Sequence, residues 1–163
     1  MRVSRGNNLT VNTVFRTRKY DIEPEYVEWY AVKVLSYLDV RDAQVDVCCV
    51  TNDYIRKLNK RYMDRYAFTD VLAFPIDETL YNAGGERRLL LGEIIISLDQ
   101  TKRNARKYNV SFIQELRLYV IHGILHLLGY DDTSPRAREE MFRTQDEIFF
   151  KVTDKDRYEK RSQ

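Results

Sequence analysis

The chain has 163 residues, 44% of them hydrophobic and 32% charged. That length suits one domain with a real core, and that composition excludes a disordered chain. With 27 basic and 25 acidic residues, the net charge of +2 neither demands nor forbids a nucleic-acid partner. No apolar run reaches the roughly 18 residues that a bilayer span needs, and the first fifteen residues lack a signal-peptide core, so a cytoplasmic protein without membrane contact is expected.

In chain order, residues 8–15 alternate apolar and polar and predict a strand. Pro24 opens a helix over 24–38, with Val27, Tyr30, Ala31, Val34, Leu35 and Leu38 at helical spacing. Residues 44–51 predict a second strand. Asn52 or Asp53 caps a helix through about Met63. A short strand over 69–76 is expected to end at Pro75, with a loop or hairpin connection over 77–87 around Gly84-Gly85. The continuous apolar run 89–97 predicts a central strand covered on both faces. Helices follow over 98–109, over 111–128 from an N-capping Ser111 to Gly129, and from Ser134-Pro135 to about Phe150. Residues 150–163 carry little apolar content and are expected to form a flexible tail. The whole predicts a single α+β domain over 1–163, one small mixed sheet packed with helices. Cys48 and Cys49 are adjacent in a strand, so they point to opposite faces and cannot easily bridge. Buried thiols are expected, not a disulfide framework.

The segment that carries chemistry is His122-Gly-Ile-Leu-His126-Leu-Leu-Gly-Tyr-Asp131-Asp132. It holds both histidines of the protein, one helical turn apart and on one face. The helix around them is apolar on nearly every side, as a buried central helix is. Gly129 stops it and lets the chain turn back. Spacing alone leaves two readings open. The imidazoles can satisfy each other or nearby carbonyls, or they can ligate a metal with a carboxylate six residues past His126 as third donor. Three protein ligands plus water is the usual arrangement of catalytic zinc.

These residues resemble the HGxLHLxGYDH signature of the YbeY family of rRNA-maturation endoribonucleases. Leu58-Asn59-Lys-Arg-Tyr62 followed by Thr69-Asp70-Val71-Leu72-Ala73-Phe74-Pro75 is similar to that family's LNxxYR and PTDVLSFP blocks, and Leu91-Gly92-Glu93-Ile94 to its LGDI strand. The blocks occur in the family's order, over roughly residues 45–145. The resemblance implies one mixed α+β domain and one zinc ion held by His122, His126 and Asp132. It also implies a single-strand-specific endoribonuclease that processes the 3′ end of small-subunit rRNA and serves ribosome quality control. The implied partners are single-stranded RNA, the small ribosomal subunit and its assembly factors.

Three positions depart from the pattern. Asp132 stands where the family has a third histidine. Aspartate ligates zinc, but a His₂Asp site carries one less positive charge and acidifies its water less. Asp131 is a neighbouring competitor, although the family's register selects Asp132. Met63 stands where the family has an arginine implied in catalysis or phosphate contact, and methionine cannot donate to a phosphate. Arg61 and Arg65 are the candidate replacements, each two residues away. Ala73 stands for a serine.

Two rival functions remain. A zinc metalloprotease needs Glu directly after the first histidine, and this chain has Gly123 there. A non-catalytic, zinc-containing RNA-binding assembly factor is the other. Asp70 and Thr69 either face the active cleft or serve a turn. Two basic clusters, Lys102, Arg103, Arg106, Lys107 and Arg56, Lys57, Lys60, Arg61, Arg65, are RNA-contact candidates or ordinary solvated helix faces, with Tyr62 and Tyr66 available for stacking.

Overall fold

The computed structural model describes residues 8–63 and 71–153. Its order is β1 (Leu9–Phe15), α1 (Pro24–Tyr37), β2 (Ala43–Val50), α2 (Asn52–Met63), β3 (Val71–Tyr81), β4 (Arg87–Ser97), α3 (Leu98–Lys107), α4 (Phe112–Leu127) and α5 (Pro135–Lys151). The four strands form one sheet in the order β1-β2-β4-β3. β1 pairs parallel with β2 and β2 with β4, whereas β3 runs antiparallel to β4. This is the mixed α+β domain that the sequence predicts.

The strands β2 and β4 are inner, and their apolar runs follow from cover on both faces. Val45, Val47, Cys49, Ile94 and Ile96 join the main core with α1 and α4. Cys48, Val50 and Ile95 point the other way and meet Ile55 of α2 and Leu72 of β3. The two cysteines thus occupy opposite faces as free thiols, and burial pushes both thiols up.

The expected end of the third strand at Pro75 is wrong. β3 continues to Tyr81, and only residues 82–86 turn between it and β4. The reason is position. β3 lies at the sheet edge, where a residue without an N–H is tolerated, and its pairing with β4 slips between Pro75 and Glu78. Residues 150–153 do not belong to the expected tail, and the rest of that segment lies outside the described residues. α5 runs to Lys151, Val152 is buried, and the Val152 carbonyl accepts the Tyr30 hydroxyl at 2.9 Å.

Helix α4 is the hub. It packs against β3, β4, α1, α3 and α5. A capping box starts it: Ser111 Oγ accepts the Gln114 N–H at 3.1 Å, and Gln114 Oε1 accepts the Ser111 N–H at 2.9 Å. Its buried Arg117 lies 4.9 Å from the Phe149 ring centroid and 5.8 Å from that of Tyr30, tying α4 to α5 and α1. At Gly123 the helix sits so close to the sheet that a Cβ would fall 2.6 Å from Ile94 Cγ2. Gly123→Ala is therefore expected to cost about 1–3 kcal/mol through overpacking. Urea denaturation measures this, and an unchanged midpoint would show that the helix has room to move.

Candidate metal centre

The turn after α4 builds the centre. Gly129 adopts φ +99°, a backbone region that side chains disfavour. Its N–H donates to the His126 carbonyl at 3.1 Å, and the Tyr130 N–H donates to the Leu125 carbonyl at 3.0 Å. This pair of bonds is a Schellman motif. It reverses the chain so that the Tyr130 carbonyl comes back to His126 Nδ1 at 3.1 Å. Two residues later the chain delivers Asp132.

The donors of His122, His126 and Asp132 lie within 4.8 Å of one another, and all three residues are half-buried. The two imidazoles are edge to face, with centroids 4.6 Å apart and planes at 81°. Asp131, the sequence competitor, is exposed. Its Oδ1 accepts the Thr133 N–H at 3.1 Å and the Thr133 hydroxyl at 2.9 Å, which commits it to the turn.

Both Nδ1 atoms face oxygens. His126 Nδ1 faces a backbone carbonyl, and His122 Nδ1 faces Gln145 Oε1 at 2.9 Å. In the neutral tautomer in which each Nδ1 donates to its oxygen, the proton lies on Nδ1 of both rings. The lone pairs of the neutral rings then belong to Nε2, and the two Nε2 atoms face each other across 3.0 Å. Two acceptors at that distance repel unless a cation lies between them. With a carboxylate beside them, the set fits a divalent metal of the zinc type, and Gln145 and Tyr130 supply the outer partners that orient ligating histidines.

The centre opens on a cavity of about 430 Å³ lined also by Asn104, Glu115, Tyr119, Phe142 and Gln145. Glu115, Tyr119 and His122 recur at helical spacing along α4, so one stripe of that helix forms the wall, with His126 one turn further along it. Sequence reasoning missed Glu115, Tyr119 and Gln145. The first two were visible as that stripe. Gln145 comes from another helix and left no local signal. Of the other predicted site residues, Arg61 is exposed on α2. Arg65, Tyr66, Thr69 and Asp70 lie outside the described residues. The position after the first histidine, where a metalloprotease carries its glutamate, points into Ile94 of β4 and not toward the imidazoles.

The sequence pattern of the family described as endoribonuclease YbeY matches residues 13–153. This chain belongs to the YbeY family. An endoribonuclease YbeY from Treponema denticola is 34% identical over 137 residues, covering 84% of this chain and 88% of that protein. One from Bacillus subtilis is 44% identical, covering 65% and 70%. The solution structure of a Thermotoga maritima protein superposes with a TM-score of 0.60 at 30% identity, over 87% of this chain and 88% of that one. Among the described residues no helix is long and apolar enough to cross a membrane.

Replacing Gln145 by Leu removes the acceptor that orients His122. Affinity for a divalent metal at this centre is expected to fall about 10–100-fold, as is usual when an outer partner is removed, and competition of added zinc with a chromogenic chelator reads it. An affinity equal to the parent's would mean that Gln145 does not support the ring.

Proposed function

We propose that this protein is a zinc-dependent endoribonuclease that cleaves single-stranded RNA during maturation of small-subunit rRNA and in ribosome quality control. It works in the cytoplasm, in contact with the small ribosomal subunit and its assembly factors. One observation carries the reading: in a chain of the YbeY endoribonuclease family, two imidazole lone pairs and an aspartate converge at the edge of a cavity.

His122, His126 and Asp132 would hold the ion. When bound, zinc supplies Lewis acidity toward a phosphodiester oxygen and an acidified water. The chain's own residues do the positioning. The Tyr130 carbonyl and Gln145 hold both Nδ1 protons and so keep both Nε2 atoms as donors of electron pairs. Asp132 in place of histidine lowers the local positive charge, which raises the demand for a cation at the phosphate. Met63 cannot meet that demand. Arg61 or Arg65 would, by its charge and its guanidinium donors. The exposed Phe142, whose ring centroid lies 6.4 Å from that of His122, offers a face on which an unpaired base can stack.

The His122→Ala, His126→Ala double variant is expected to lose stoichiometric zinc by elemental analysis, and undiminished zinc would refute the ligand assignment. On a labelled single-stranded RNA, the zinc-loaded parent should cleave and His126→Ala should not. Equal cleavage by both would mark a contaminating nuclease and favour a non-catalytic assembly factor. Arg61→Ala and Arg65→Ala, measured separately, should single out one arginine whose loss lowers kcat/KM about 100-fold or more with zinc retained. Parental rates in both would remove the arginines from the reaction.

A further inference from the structure

A second cleft of about 760 Å³ lies beside α3. Lys19, Lys102, Arg103, Arg106 and Lys107 line it, with Tyr20 at one side. Asp99 is the one acid among its described lining residues, and it is already engaged. It accepts the Tyr20 hydroxyl, the Asn52 N–H at 2.8 Å and Lys19 Nζ at 3.0 Å. Burial pushes the Asp99 carboxyl up, but those three donors outweigh it and hold the group below its ordinary value. Lys19 offsets the Asp99 charge, which leaves the four cations of α3 in excess.

The four α3 cations are exposed, and among the described residues none of them forms an ion pair. Lys102 and Arg106, like Arg103 and Lys107, are one turn apart. Like charges at that spacing destabilise a helix. A face that keeps two such pairs side by side suits a polyanion better than it suits the helix. The same helix also borders the histidine cavity through Asn104, with Tyr108 just beyond its last turn. Tyr108 is 59% exposed, and Lys107 Nζ lies 5.3 Å from its ring centroid. An aromatic face with a cation against it therefore joins the two concavities, as in single-strand binding grooves.

We infer that the α3 cleft is a phosphate track for single-stranded RNA, along which a strand leaving the histidine cavity passes over Tyr108 and lies against Lys102, Arg103, Arg106, Lys107 and Lys19. The inference rests on the reading of the cavity as an RNA-cleaving site, but binding tests it independently of cleavage. The probe is a fluorescein-labelled single-stranded RNA of about a dozen nucleotides, long enough to leave the cavity and cross α3, which is about 15 Å long at 1.5 Å per residue. It is titrated with zinc-loaded full-length protein across a salt series. In the variant Lys102→Gln, Arg103→Gln, Arg106→Gln, Lys107→Gln, the slope of log K against log salt should shrink by about 0.7 for each phosphate that is no longer neutralised. A reduction of roughly 1.5–3, with affinity at least about tenfold weaker at low salt, is expected. Zinc content and circular dichroism should match the parent. Tyr108→Ala should weaken binding about tenfold and leave the slope in place, because stacking releases no counterions. A fourfold variant with parental slope and affinity overturns the track and leaves the patch to an acidic protein. If the parent binds with the steep slope but cleaves nothing, the nuclease reading fails and the track stands. If the parent cleaves and the fourfold variant keeps its slope, the reverse holds.

Discussion

Two imidazole Nε2 atoms meet at 3.0 Å on a closely packed helix, and in the tautomer that protonates both Nδ1 atoms neither has a hydrogen to give the other. Repulsion of that kind would normally be relieved by rotating a ring or sliding a helix turn. Neither escape is open here. Each ring is held at its other nitrogen, and α4 is enclosed by β3, β4, α1, α3 and α5. Close packing of the interior turns a local conflict of lone pairs into a fixed, electron-rich notch that suits a cation. The capping box, the glycine against Ile94 and the Schellman turn all serve to hold that notch at the rim of the cavity.

Much of this was written locally in the sequence. The pair His122 and His126, the stop at Gly129 and a carboxylate beyond it are features of one short segment, and helical geometry alone relates them. The opposed cysteines followed from the two-residue period of a strand. What stayed hidden depends on partners distant in sequence. Gln145 meets His122 across 23 positions, so no spacing rule reveals it. Pro75 was read as a terminator because edge position, which makes proline harmless, is a property of the sheet and not of the strand. The choice between Asp131 and Asp132 turned on Thr133, whose backbone and hydroxyl capture Asp131.

The centre and the α3 cleft also complement each other electrostatically. An aspartate among the donors would leave a bound ion with less charge to attract a phosphodiester than three histidines would. Cations along α3 would restore attraction at a distance, where they can raise the local concentration of a polyanion without crowding the reacting group. Asp99 does not undo this, since its charge is spent on the Tyr20 segment and on the start of α2. On the proposed reading, capture of a strand and the chemistry done on it fall to separate parts of the molecule.

The two imidazoles differ in how freely they can be retuned. His122 leans on the side chain of Gln145, which a single codon change can make acidic or apolar. His126 leans on the main-chain oxygen of Tyr130, which no substitution of that residue deletes. One arm of the centre is therefore open to mutational adjustment of its basicity, and the other is inherited with the backbone itself.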